Sequence, residues 1–74
     1  MNKELLLDSL TFKMPFGKYK DLPICDLPSH YLEWFLRKDG FPPGKLGDMM
    51  TIIHEIKLNG LEEIIFKLKQ DYKS

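Results

Sequence analysis

Two breaks divide the second half of this 74-residue chain and leave it little choice of architecture. Phe41-Pro42-Pro43-Gly44 cannot continue a helix, because proline lacks an amide donor and its ring clashes with the preceding turn. Asn59-Gly60 is the second break. Between and beside them apolar residues recur at helical spacing. Tyr31, Leu32, Trp34, Phe35 and Leu36 predict a helix over 28–38, with Pro28 as its first residue or Ser29 as its cap. Arg37 and Lys38 suit the C-terminal end of the helix dipole, and Gly40 suits the left-handed position just beyond. Leu46, Met49, Met50, Ile53 and Ile56 predict a helix over 45–58. Leu61, Ile64, Ile65, Leu68 and Tyr72 predict a third over 60–69, capped by Asn59 with Glu62 in a capping-box arrangement.

The first half reads differently. Residues 1–10 read as a short helical turn that caps the core through Leu5, Leu6 and Leu10. Residues 11–20, TFKMPFGKYK, read as a β-hairpin turning at Pro15 and Gly17, with Phe12 and Met14 on one face and Lys13 on the other. An isolated hairpin is marginal in water, so its apolar face must rest on helices. The expectation is an α+β fold in one domain, a two-stranded hairpin against three main helices. Its predicted core holds Phe12, Leu27, Leu32, Phe35, Leu46, Ile53, Ile56, Leu61, Ile65 and Leu68. A chain this short buries only about 60% of the surface its unfolded form exposes, and nine aromatic residues supply much of what it can bury.

Charge narrows the function classes. Eleven basic residues balance eleven acidic ones, which argues against a protein held on DNA or a membrane by bulk charge. The local balance is uneven, since residues 11–20 carry Lys13, Lys18 and Lys20 and no acid. Lysines interleaved with Phe16 and Tyr19 are the minimum for gripping a phosphate backbone and stacking a base. The candidate nucleic-acid contacts are therefore Lys13, Lys18, Tyr19, Lys20 and, across the Pro-Gly loop, Lys45. The plainer reading is a solvated hairpin whose rings pack inward. Tyr31, Trp34 and Phe35 would make a stacking platform if exposed, but aromatics at helical spacing belong more often to a core, and that is where they are assigned.

Chemistry beyond binding finds little support. Cys25, His30, His54 and Glu55 are the candidate metal ligands, and no CxxC or HxxxH spacing joins them. As a nucleophile, Cys25 has Asp26 beside it, and an adjacent carboxylate raises a thiol pKa. Glu62 and Glu63 are explained by the helix dipole, and Asp21 and Asp26 lack further oxygen ligands in a pattern. Lys57 falls near the apolar face of its helix and is expected to snorkel along the core or to pair with a carboxylate of the 21–26 loop. No catalytic residue, metal or cofactor is expected. One cysteine forms no disulfide framework, Leu5–Leu7 is too short for a signal-peptide core, and no run approaches the roughly 20 apolar residues of a membrane span. The expected compartment is the cytoplasm.

Four blocks in order carry a resemblance: MPFGKYK (14–20), LPSHYLEWF (27–35), GFPPGKLG (40–47) and EIKLNGLE (55–62). Together they resemble a family of short uncharacterised bacterial and phage proteins described as putative quorum-sensing-regulated virulence factors. The FGKYK turn followed by the YLEW segment is also similar to the small C-terminal domain of exodeoxyribonuclease X-like proteins. That family usually continues FGKYKG, and this chain carries Asp21 at the last position, where glycine would permit a tight turn or close approach of a ligand. The resemblance and the lysine hairpin imply a small non-enzymatic module associated with DNA or RNA. The alternative is a protein-interaction or homodimerising module, suggested by zero net charge, Met49, Met50 and an off-stripe Phe66.

Overall fold

The helix over Lys45–Leu58, labelled α3, organises the molecule because it is apolar on more than one side. Met49, Met50, Ile53 and Ile56 are all fully buried, and the other elements pack around them. The computed structural model describes residues 3–73. A short helix α1 (Lys3–Ser9) lies on α3, and Leu6 together with Leu10, just past its end, enters the core. A 3-10 turn over Ile24–Asp26 adds Ile24 and Cys25, and α2 (Ser29–Lys38) adds Leu32 and Phe35. The last helix, α4 (Glu62–Lys73), contributes the buried Ile65 and the half-buried Leu68.

The α+β expectation is wrong. Among the described residues there is no strand, only a single antiparallel bridge between Lys13 and Pro23. Two segments do run side by side: Met14 N–H donates to the Leu22 carbonyl at 2.8 Å and Ile24 N–H to the Phe12 carbonyl at 2.9 Å. The reversal between them is a loop over residues 15–21, not a tight turn at Pro15–Gly17. Three features prevent a ladder. The seven-residue loop is longer than the two-residue turns that hold hairpin strands in register. Pro15 and Pro23 remove a donor from each arm. Beyond Pro23 the chain coils at once into the 3-10 turn.

Inside this loop, Asp21 N–H donates back to the Met14 carbonyl at 2.8 Å, and Asp21 sits at φ 72°. That is the left-handed region, which aspartate reaches more readily than most residues. Asp21 thus makes the turn for which a glycine would be the easier residue.

Helix ends follow the glycines and prolines. Pro28 flanks α2 at its N-cap instead of entering it. Asn59 ends α3 instead of starting α4: its side-chain amide donates to the Glu55 carbonyl at 2.8 Å. Gly60 is left-handed at φ 69°, and the amides of Gly60 and Leu61 return to the carbonyls of Lys57 and Ile56, closing a Schellman motif. Consequently α4 begins at Glu62 and runs past the expected end at residue 69. Within α3, Gly47 lets the Phe41–Pro42 backbone approach, since a side-chain carbon there would lie 1.8 Å from the Pro42 carbonyl oxygen.

The core differs from expectation at both ends. Phe12 is 39% exposed, and Leu61 also lies outside the core, while Leu46 and Leu68 only flank it. Leu6, Leu10, Met14, Ile24, Cys25, Met49 and Met50 take their place. Phe12 and Met14 therefore do not share a buried face. Tyr72, expected on the α4 stripe, has its side chain outside the described residues.

Candidate functional site

On α2, residues 30, 31, 34, 37 and 38 follow helical spacing and so share one side. The 16–19 loop folds over that side. Between them lies an open groove of about 570 Å³ lined by Phe16, Tyr19, His30, Tyr31, Trp34 and Arg37, with Lys18, Gly17 and Phe35 completing it. No carboxylate lines it.

The rings form a connected set. Tyr31 and Trp34 are parallel within 2° at a centroid separation of 6.3 Å. Phe35 packs edge-on against both, at 5.1 Å from each. Tyr19 meets Tyr31 edge-on at 4.7 Å, and its hydroxyl shares a 3.3 Å hydrogen bond with His30 Nε2. Burial, with the neighbouring Tyr19 adding to it, pushes the Tyr31 phenol above its ordinary pKa, so the hydroxyl stays protonated at neutral pH. Gly17 is needed twice over, being left-handed at φ 82° and in the path of the Tyr31 hydroxyl.

Cations border these rings. Lys18 Nζ lies 5.7 Å from the Tyr19 ring centre and Lys38 Nζ 5.5 Å from that of Trp34. The outer rings are open to solvent: Trp34 is 44% and Phe16 45% exposed. Phe35 alone of the α2 aromatics joins the buried core, which corrects the assignment of Trp34 to it.

Of the five residues proposed from sequence, Lys18 and Tyr19 line the groove. Lys13 and Lys20 are exposed on the same connection but do not line it. Lys45 stands at the start of α3 in a 2.8 Å ion pair with Asp8 of α1. Phe16, named with the lysines in the sequence, lines the groove as well; Tyr31 and Trp34 had been assigned to the core, His30 had been weighed only as a metal ligand, and Arg37 only as a helix-end cation. Their signal was present: the α2 pattern carries more large rings than one helix can bury in a chain of this size, and tryptophan is seldom fully buried.

The other candidates resolve into structural roles. Cys25 is buried, and burial followed by the neighbouring Asp26 charge pushes its thiol up to about 11. Such a thiol is protonated at neutral pH and is a poor nucleophile or metal ligand. Asp26 pairs with Lys69 of α4, and Lys57 Nζ donates to the Leu27 carbonyl at 2.6 Å. Partial burial is the largest single effect on Lys69 and works against its charge, but the Asp26 hydrogen bond and the Cys25 and Asp26 charges together outweigh it and hold the ammonium above its ordinary range. Among the described residues no three His, Cys, Asp or Glu side chains group to hold a metal ion. No helix among them is long and apolar enough to cross a membrane.

Comparison with known proteins covers the whole groove. The sequence matches the family described as "Putative quorum-sensing-regulated virulence factor" over residues 2–68. It is 50% identical over 70 residues to the "Uncharacterized protein YpeB" of Escherichia coli strain K12, a match spanning 95% of this chain and 97% of that one. The protein of the same name from Escherichia coli O157:H7 matches to the same extent. No solved structure matches the chain. The matched span holds the 12–24 connection, α2 and α3 together, and so every residue that lines the groove: this chain belongs to the family of putative quorum-sensing-regulated virulence factors.

Proposed function

We propose that this protein is a small non-enzymatic module that binds nucleic acid in the groove between the 16–19 loop and α2. One observation carries the reading: exposed aromatic rings and the cations Lys18 and Arg37 line one groove, and no carboxylate does. Bases stack on aromatic faces whatever their identity, and lysine or arginine beside the ring meets the phosphate. A cytoplasmic location fits this reading. Lys13 and Lys20 serve as outer phosphate contacts, and Lys45, held by Asp8, contributes least.

The test is fluorescence anisotropy of labelled single-stranded DNA, duplex DNA and RNA at low and moderate salt. Saturable binding that weakens with salt is expected. Replacing Lys18 and Arg37 together by Ala should flatten the salt slope by roughly 1.4 log units per log unit of salt on a single strand. Replacing Lys13 and Lys45 should change it less. Absence of binding at low salt would end this reading.

A second reading has its own observation. Phe66 is 63% exposed, and Leu58, Leu61 and Ile64 are exposed near it in sequence. Phe66 lies two residues from Ile64 and so on the other side of α4, and its exposed ring suits a second copy of the chain. An antiparallel α4 pair would set Glu62 and Glu63 of one copy toward Lys67 of the other. Met49 and Met50, being buried, take no part. A monomeric mass by sedimentation at high protein concentration would remove this reading.

A further inference from the structure

Trp34 lines two hollows, not one. The first is the groove described above. The second, of about 370 Å³, lies toward the loop after α2 and is bordered by Trp34, Phe35, Lys38, Phe41, Pro42 and Pro43, with Asp39 and Gly40. The indole, half open to solvent, borders both hollows, as does the buried Phe35 beneath it. Tyr31 borders only the first hollow and Lys38 only the second, and both approach the indole.

The Tyr31–Trp34 pair is not a slot. A third ring held between two parallel rings needs about 3.5 Å on each side, roughly 7 Å in all. Their centroids are 6.3 Å apart, and the rings already pair with each other. A planar ligand must therefore lie outside the pair, in one hollow or the other.

Building on the nucleic-acid reading above, we propose that Trp34 separates two stacking positions for consecutive unpaired bases, one in each hollow. The first base rests on the Tyr31–Trp34 step, enclosed by Phe16 and Tyr19. The second rests against Trp34 where Lys38 now lies, and the displaced Lys38 ammonium turns to the phosphate between the bases. Lys18 and Arg37 hold the phosphate that precedes the first base. Duplex DNA does not fit this arrangement, because its bases are already stacked on each other and must be opened before an indole can come between them. The ligand class is single-stranded nucleic acid of at least two nucleotides, with little base preference.

Trp34 is the chain's single tryptophan, so its fluorescence reports this position alone. The experiment titrates the protein at low salt with oligothymidylates of one, two, four and eight nucleotides and with a duplex, reading Trp34 quenching and the anisotropy of labelled eight-mer. A clear gain in affinity from one nucleotide to two, and duplex binding at least tenfold weaker, are expected. Trp34→Ala should weaken eight-mer binding about tenfold or more, and Trp34→Phe should keep most of it. Circular dichroism shows whether Trp34→Ala is folded; if it is not, the nucleotide-length series and Trp34→Phe decide the matter. Full affinity for a mononucleotide overturns the proposal. So does equal affinity for single strand and duplex, or an unchanged folded Trp34→Ala protein, and in those cases the groove still binds nucleic acid. Absence of binding to any nucleic acid overturns both.

Discussion

The Tyr31 hydroxyl lies 2.8 Å from the point that a side-chain carbon on Gly17 would occupy. A side chain at position 17 would therefore push against the Tyr31 hydroxyl, where the 16–19 loop faces α2 across the groove. Gly17 also has a left-handed backbone, which costs any L-residue with a side chain about 1–2 kcal/mol. Gly17→Ala should lower the melting temperature by about 4–8 °C for each kcal/mol lost. Adding Tyr31→Phe removes the hydroxyl and should recover part of the loss, but not the backbone part. Thermal denaturation of the two single variants and the double variant checks this; strict additivity would show that the contact carries no energy.

Asp21 offers the complementary case. Its φ of 72° is tolerated by aspartate and easy for glycine. Asp21→Gly should stabilise the fold by up to about 1 kcal/mol, the relief of strain being partly offset by a more flexible unfolded chain. Asp21→Val, β-branched at the same position, should cost more than 1 kcal/mol by the same argument. Urea unfolding reads both. Equal stability of the glycine and valine variants would show that the turn relaxes when residue 21 changes.

Alkaline pH should unfold the protein through Cys25. Its thiol has a pKa of about 11 in the folded chain against 9.0 ordinarily. The folded state therefore holds a proton that the unfolded state has released between those values. The stability tied to this thiol is complete below pH 9 and falls by about 1.4 kcal/mol per pH unit as pH rises toward 11. Lys69, also raised, loses its contribution in the same direction above the ordinary lysine range. Cys25→Ala should lower stability below pH 9 by leaving a small cavity, and it should flatten the slope between pH 9 and 11. Urea midpoints across that range decide it; an unchanged slope would place the titration elsewhere.

Much of the helical half of the molecule was legible from its breaks. Pro42, Pro43, Gly44 and Gly60 act locally, through missing donors and left-handed backbones, and so α2 and α3 end close to where a single sequence puts them. The 12–24 connection was not legible, because alternation says only that Phe12 and Met14 share a face, not that Met14 is buried while Phe12 stays partly open. Partner choice was equally hidden. Lys57 was expected to snorkel along the core or to pair with a carboxylate of the 21–26 loop; it is half-buried and donates to the Leu27 carbonyl, while Asp26 goes to Lys69, 43 residues away. Lys18 and Tyr19, singled out from their local pattern, line the groove. Trp34 was not singled out, because helical spacing does not say how many rings of a stripe the core has room to cover.

The most direct test of the account is to map an unlabelled eight-nucleotide single strand onto the isotope-labelled protein by amide chemical-shift changes at low salt. The account predicts concerted shifts in residues 16–19, in α2 from His30 to Lys38 and in the Trp34 indole N–H, with α4 quiet. Shifts confined to α4 or to Lys13 and Lys45, with the Trp34 indole unmoved, would contradict it.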